Sequence, residues 1–540
     1  MKKSATYLLL TVCTLTAMFF SACRDTGDDL LSFGQNDTQA FDLTDISYAA
    51  QFKAFWLAMN ENYCIWDYEE KMGINWDEVY TTYLPLFEEL DDTTRNKTVT
   101  DEEFRAMYSQ FLDSLHDGHS SYSLKNLQTG NYVSFSPCED RNMRERPERF
   151  FPELRNVTTL DAYSTDAVDA NYRVLDYQKA SGISILQVLL DSTMQQLIRG
   201  VDAYMAAVEA AGGPNEFNDS ICSVLPKLRN NAVTILGVLT RPYSELSATM
   251  PSLCSQYNTM RKSFFHVASQ IGVVMPEIEP ELMNDGLGFI CSALFPGNIA
   301  YIRLGGFALS RHLRPEAIST DTASMYYAYQ MAVNRTWRSW FDAIQTHYAA
   351  GDLGGVIIDV RNNGGGIVPD YQYIVGALLP SGGYNLTTLR VKNGSGRLDF
   401  APLMPFVAST YPEPHAVITD QPIVVLANSN SGSLAENSTW GVISQPNGYF
   451  IGTRTFGALS ALAPDPEDYS GTYSGAFGVE NVTSFYGHLP KYVLLYGDEL
   501  ECRESIGFVP NEDLPLDIVL WQTQARDNQL ERALDYIHSK

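Results

Sequence analysis

The stretch Val356-Ile357-Ile358-Asp359-Val360-Arg361-Asn362-Asn363-Gly364-Gly365-Gly366 decides how the chain around it folds. Val356, Ile357 and Ile358 form an apolar run without polar alternation, the pattern of a strand buried on both faces. The run ends in Asp359, Arg361 and three consecutive glycines, which let the main chain turn tightly and come close to a ligand. Backbone N–H groups fixed at such a strand end can hold an oxyanion during acyl transfer. The same residues also suit a tight strand-to-helix turn without chemistry.

A second apolar run, Ile423–Ala427, leads into Asn428-Ser429-Asn430-Ser431-Gly432-Ser433-Leu434-Ala435-Glu436 and then a segment, Asn437–Ile443, that can be helical. Strand, small-residue turn and helix together present a serine hydroxyl at a helix N-terminus. Ser433 is the candidate nucleophile on this reading. Ser429, Ser431 and Ser433 are equally suited to capping the helix.

Three blocks carry a resemblance. Asp359-Val-Arg-Asn-Asn-Gly-Gly-Gly, Ser433-x-x-Glu436 and Gly452-Thr-Arg-Thr-Phe-Gly457 closely resemble, in order and spacing, the tail-specific (C-terminal processing) serine peptidases. The likeness spans roughly Ile299 to Ile518, with more around Phe52–Tyr122, where Asn62-Tyr63 and Asn75-Trp76-Asp77 also resemble the family. It implies Ser433 as nucleophile and an oxyanion hole on the backbone N–H groups of Gly364, Gly365 and Leu434. Most such peptidases use a Ser-Lys dyad with lysine directly after Thr-Phe-Gly, and here that position is Ala458. Serine needs an adjacent base, so another residue supplies it or the site is dead.

The tricorn-core-like branch of the family uses histidine and glutamate instead. Leu115-His116-Asp117-Gly118-His119-Ser120-Ser121-Tyr122 resembles the motif that carries its histidine, and the matching residue is His119. Histidine titrates near neutrality, as a general base requires. Glu504-Ser505-Ile506-Gly507-Phe508-Val509-Pro510-Asn511 resembles the branch's glutamate block, with Asn511 in place of the usual aspartate. Glu504 would then orient the imidazole. His116 is a rival for the base, and a turn role for either histidine is the plain alternative. No His-Glu-x-x-His or paired Cys-x-x-Cys spacing argues for a metal, and no cofactor is implied.

The N-terminus reads as an export signal. Lys2-Lys3 precede an apolar run, Tyr7 to Phe20, too short to span a membrane comfortably, and Phe20-Ser21-Ala22-Cys23 resembles a bacterial lipobox. Cleavage before Cys23 and its lipidation would anchor the protein in the cell envelope as an outer-membrane lipoprotein, facing the periplasm or the cell surface. An ordinary signal peptide with Cys23 incidental is the alternative. Residues 23–45 read as a polar tether.

The charge balance, 37 Lys+Arg against 64 Asp+Glu for a net −27, makes nucleic acid and anionic lipid surfaces poor partners. Hydrophobic residues at 45% suffice for a large core. Of 8 cysteines, Cys13 lies in the signal and Cys23 would carry lipid. Cys64, Cys138, Cys222, Cys254, Cys291 and Cys502 remain, and an oxidising compartment would permit disulfides among them.

The organisation expected is a signal (1–22), the tether, an N-terminal helical domain carrying His119 (46–124), a mainly helical insertion (125–281) and a catalytic core (282–540). Phe52, Phe55, Trp56 and Met59, then Phe104, Tyr108, Phe111, Leu112 and Leu115, recur at helical spacing. Many relatives carry a PDZ domain in the middle, but 125–281 shows neither its carboxylate-binding loop nor its Gly-Asp turn; a helical insertion in its place is the reading, and a very divergent PDZ domain the alternative. Ser192–Ala211 and Met260–Ile271 read there as helices. In the core, strands at Ile299–Leu304, Gly355–Val360, Ile423–Ala427 and Tyr449–Gly452 alternate with helices, including Ala328–Ala349. That predicts an α/β fold with a mixed, mainly parallel sheet, and the resemblance implies a ClpP/crotonase-like core. The function implied is peptide-bond hydrolysis by a lipid-anchored serine peptidase acting on exported or extracellular peptides and proteins. The alternatives are an inactive pseudo-peptidase and a peptide- or nutrient-binding lipoprotein.

Overall fold

The computed structural model describes residues 47–92, 98–147, 173–176, 181–215, 218–241, 243–275, 290–320, 322, 325–380, 383–460, 476–477, 484–490, 492–524 and 526–540. The export signal, Cys23 and the tether lie outside the described residues.

Strands in chain order are β1 Ser121–Lys125, β2 Tyr132–Phe135, β3 Arg173–Asp176, β4 Ile290–Phe295, β5 Ile299–Leu304, β6 Gly355–Asp359, β7 Tyr384–Val391, β8 Met404–Ala408 and β9 Ile423–Ala427. They continue with β10 Gly448–Gly452, β11 Ala476–Phe477, β12 Phe485–His488, β13 Tyr492–Tyr496, β14 Glu501–Cys502 and β15 Glu512–Asp513. The central sheet has the order β15-β10-β9-β6-β5-β4-β3. From β5 to β15 every pairing is parallel, while β4 and β3 add antiparallel strands at one side. The mixed, mostly parallel sheet expected of the core is therefore present.

The continuous apolar runs have a direct structural cause, since strands β4, β5, β6 and β9 are buried at every position. Side chains alternate between the faces of a strand, and both faces are covered. Ala300, Ile302, Val356, Ile358, Val425 and Ala427 meet Trp337, Trp340 and Ile344 of the helix Met325–Ala350. Tyr301, Ile357, Val424 and Leu426 meet Leu530, Ala533 and Ile537 of the helix Asn528–His538.

The N-terminal helices Tyr48–Asn62, Trp76–Leu90 and Asp101–Leu112 bury the predicted stripe of Phe52, Phe55, Met59, Phe104, Tyr108, Phe111 and Leu112. Their core also takes in Phe485, Leu489 and Val493, and β1 pairs antiparallel with β12, Tyr122 opposite Gly487. The N-terminal segment is thus bound to the C-terminal half of the chain. Between them the helices Ser181–Ala210, Asp219–Leu239 and Tyr243–Gln270 pack through Leu190, Met194, Leu197 and Val201 against Leu225, Leu228, Tyr257 and Met260. The six cysteines in the described residues are all free thiols.

Candidate active site

The site is built on three turns at the carboxyl ends of parallel strands β6, β9 and β10, where an open α/β sheet places ligand chemistry. After β6, the Arg361 guanidinium is buried between Asp359 and Asp527, donating to both carboxylates at 2.7 Å and to Gln529 Oε1 at 2.7 Å. Burial, the largest single effect, raises Asp359, but the Arg361 charge and hydrogen bonds together with the Arg303 charge outweigh it and hold the carboxyl at about 2. This buried pair fixes the start of the glycine turn.

Two asparagines join that turn to the serine turn after β9. Asn362 N–H donates to Asn428 Oδ1 and Asn428 Nδ2 donates to Asn362 Oδ1, both at 3.0 Å. Gly432 N–H donates to Asn363 O at 2.9 Å. The structure separates the three serines. Ser431 Oγ is spent on Val360 O (2.7 Å) and on the Asn428 N–H (2.9 Å), and Ser429 lines a separate cavity. Ser433 stands at the N-cap of the helix Leu434–Ile443 with φ 52° and ψ −118°. A capping serine ordinarily has extended backbone; a non-glycine residue held at this conformation costs about 1–3 kcal/mol, strain that clusters at functional sites.

Glycine is required beside it. A Cβ added at Gly365, whose φ is +106°, would lie 2.6 Å from Ser433 Cβ and 3.0 Å from Leu434 N. Leu434 and Gly364 N–H groups make no hydrogen bond among the described residues and remain available as oxyanion donors. The Gly365 N–H, expected to be a third donor, instead donates to Asn363 Oδ1 at 2.8 Å. The side chain that shapes the turn takes that donor away.

Glu436 secures the serine from below. Its buried carboxylate accepts from Thr455 Oγ1 (2.6 Å) and from the N–H groups of Gly457 (2.7 Å), Ala458 (2.8 Å) and Ser433 (3.1 Å). The same loop returns a bond, Ser433 N–H to Ala458 O at 3.1 Å. Burial raises Glu436 while these four donors lower it.

The histidine loop docks onto this assembly. A Cβ at Gly118 would lie 2.3 Å from Ala458 Cβ, so the loop before His119 occupies the space beside residue 458. The segment around the helix Pro137–Glu145 clamps both sides, Arg141 donating to the carbonyls of Leu115 and His116 and Arg146 to those of Arg454 (2.7 Å) and Thr455 (2.9 Å). The rival His116 is engaged elsewhere, its Nδ1 2.7 Å from Glu69 Oε2 and its N–H on Glu69 Oε1. Nδ1 of His119 is buried without a hydrogen-bond partner among the described residues, and burial lowers this imidazole to about 4, which keeps it neutral at pH 7.

One donor atom each of Asp117, His119 and Glu504 lies within 4.8 Å of the others. By ligand type the three could hold a divalent metal, although the Glu504 oxygens are already engaged. Glu504 was expected to hydrogen-bond His119 directly, and it does not. Its Oε2 accepts the Gly118 N–H (2.9 Å) and its Oε1 the N–H groups of Leu459 (2.7 Å) and Ser460. It binds the two loops together instead. Burial and the neighbouring Asp117 charge raise it above the ordinary carboxylate range.

With this geometry, sequence comparison is informative. Residues 298–466 match the model of peptidase family S41. That segment contains the glycine turn, Ser433, Glu436 and the Gly457-Ala458 loop. No curated relative matches. Among solved structures, the chain is similar to a candidate peptidase from Parabacteroides merdae ATCC 43184 (15% identity, 91% of this chain and 97% of that one, TM-score 0.45). It is also similar to mature CPAF (12% identity, 90% and 95%, TM-score 0.40). A candidate S41 protease from Bacteroides fragilis NCTC 9343 shares 17% identity over 47% of this chain and 57% of that one, TM-score 0.30.

Two residues of the site escaped the sequence reading. Glu436 stands in the quoted Ser433-x-x-Glu436 block, where its spacing signals a capping box but not its bonds to the Gly457-Ala458 loop. Asp117 sits one residue before Gly118, and nothing in the sequence marks it as buried.

Proposed function

We propose that the protein is a serine peptidase that hydrolyses peptide bonds through an acyl-enzyme on Ser433, with His119 as general base. The observation that carries this reading is the strained Ser433 at a helix N-terminus, covered by Gly365 and beside the free Leu434 N–H. His119 Nε2 takes the Ser433 hydroxyl proton as Oγ attacks the carbonyl carbon. The Leu434 and Gly364 N–H groups hold the resulting oxyanion. Collapse breaks the C–N bond, and His119 gives its proton to the leaving amine. A water molecule, deprotonated by the same imidazole, then attacks the ester and returns Ser433 and a free carboxylate product. Glu504 holds the Gly118 backbone and so keeps the histidine loop against the serine loop.

The triad arrangement is the tricorn-like one, with the histidine loop standing where a Ser-Lys enzyme carries its lysine. In the cell the protein is lipid-anchored through Cys23 in the bacterial envelope, and its substrates are exported or extracellular peptides and proteins. The supports are Lys2-Lys3, the apolar run Tyr7 to Phe20 and the lipobox-like Phe20-Ser21-Ala22-Cys23 that closes it. A fluorophosphonate probe tests the nucleophile: mass spectrometry places the adduct on Ser433 and none forms in Ser433→Ala. A protein that cleaves peptides yet carries the adduct on another serine overturns the assignment.

A further inference from the structure

We propose that Asp117, rather than Glu504, is the residue that orients His119, by accepting the imidazole Nδ1–H on its second carboxylate oxygen. The inference rests on the reading of His119 as the general base.

It comes from accounting for every oxygen in the cluster. Both Glu504 oxygens are filled by main-chain donors from Gly118, Leu459 and Ser460. Asp117 is also fully buried, but asymmetrically used. Its Oδ1 accepts the His119 N–H at 2.7 Å and the Ser460 hydroxyl at 3.1 Å. Its Oδ2 is buried with no hydrogen-bond partner among the described residues, and so is His119 Nδ1. The two residues that carry this acceptor and this ring nitrogen each place a carboxylate oxygen or a ring nitrogen within 4.8 Å of the other, and burial without a partner is unfavourable for both groups. An Nδ1–H···Oδ2 hydrogen bond satisfies the two together and leaves Nε2 unprotonated, the state in which it can accept the Ser433 proton.

Position supports the same pairing. Asp117 is two residues from His119 and already holds its main chain, so one carboxylate fixes both the backbone and the ring. The buried Ser120 hydroxyl also lies beside this carboxylate and acts on it as a donor, and a carboxylate oxygen has room for a second donor. Glu504 then positions Asp117's loop, and Asp117 positions the ring. Burial keeps a proton near this pair of carboxylates above the ordinary range.

The test uses the full-length protein with 15N-labelled histidine, His119 being assigned by its loss in His119→Gln. The expected result is an Nδ1-protonated, Nε2-unprotonated ring whose deshielded proton signal vanishes in Asp117→Asn and survives in Glu504→Gln. In peptide hydrolysis, Asp117→Asn lowers kcat by roughly 10³–10⁴-fold, the size of loss when a triad carboxylate becomes an amide. KM stays within about twofold, because the ring's orientation matters at the transition state. A His119 ring protonated at Nε2, or a proton signal lost in Glu504→Gln and retained in Asp117→Asn, overturns the proposal. Should Asp117→Asn not fold, the Nδ1 proton signal in Glu504→Gln decides: its survival supports Asp117 as the acceptor and its loss overturns the proposal. Absence of Ser433-dependent hydrolysis in the wild type would count against the peptidase reading, whereas the tautomer reports on Asp117 independently.

Discussion

Gly118 lies against Ala458 so closely that a Cβ on the glycine would stand 2.3 Å from the alanine Cβ. The two small residues are complementary halves of one contact, and the contact brings the His119 loop to the loop that bonds Ser433. Ala458 is itself buried, so a lysine there has to displace the groups packed around it, the Gly118 loop among them. Ala458→Lys is therefore expected to push the histidine loop away and to lower hydrolysis by roughly 10²-fold or more, the size of effect a misplacement of about 1 Å produces. The double variant His119→Ala/Ala458→Lys stays inactive. Recovered activity in that double variant would show that the site accepts a Ser-Lys dyad.

Gly365→Ala places a methyl group 2.6 Å from Ser433 Cβ at a backbone conformation, φ +106°, that an alanine adopts only with strain. We expect a loss of about 1–3 kcal/mol in denaturant unfolding. The larger effect falls on kcat, roughly 10²-fold or more, because the Ser433–Leu434 backbone that shapes the oxyanion hole must shift. Gly364→Ala, whose added Cβ meets nothing within 4 Å, serves as the comparison and loses less stability.

Arg361 is the structural counterpart of the catalytic turn. Removing its charge leaves Asp359 and Asp527 buried without their partner, so Arg361→Met is expected to destabilise the protein by about 3–5 kcal/mol, measured by urea unfolding. The triple change Arg361→Met/Asp359→Asn/Asp527→Asn recovers part of that loss, since the isolated charges and not the missing pair are responsible.

Stability should depend on pH through the buried carboxylates. Burial pushes Asp117 up to about 6, and burial with the Asp117 charge pushes Glu504 up to about 8. In the unfolded chain both lose their protons near pH ~4. The folded state therefore holds more protons between those limits, and this contribution to stability is full below about pH 4 and lost as pH rises through 6 and 8. His119, lowered to about 4 by burial, works in the opposite sense below its unfolded value of about 6.5. The net expectation is a fall in unfolding free energy between about pH 6.5 and pH 8, by at most about 1.4 kcal/mol per pH unit for each proton released. Proton release measured on unfolding near neutral pH checks the sign, and proton uptake contradicts it.

Strands β5, β6, β9 and β10 were legible because both faces of the central sheet are covered, so burial leaves continuous apolar runs. Ile299–Leu304 and Ile423–Ala427 were read to the residue. The placement of Ser433 at a helix N-terminus was legible for a related reason: the strand, the small-residue turn and the helix follow one another directly in sequence. Pairings over long separations left no such trace. The binding of β1 to β12 joins residue 122 to residue 487, and the cluster of Asp117, His119 and Glu504 is assembled only by that docking. Motif likeness supplied Glu504, but whether its carboxylate meets the ring or the backbone is decided by three N–H groups from two separate loops. The Asn511 that departs from the expected aspartate accepts the Phe450 N–H on its Oδ1 at 2.8 Å, a bond that an aspartate would make equally.

The most direct test of the central claim is hydrolysis of a mixed peptide library by the protein lacking residues 1–23, compared with Ser433→Ala and His119→Ala. The account predicts cleavage by the wild type, abolished in both variants while their folding, followed by circular dichroism, is retained. Cleavage that survives in Ser433→Ala, or in His119→Ala undiminished, would contradict it.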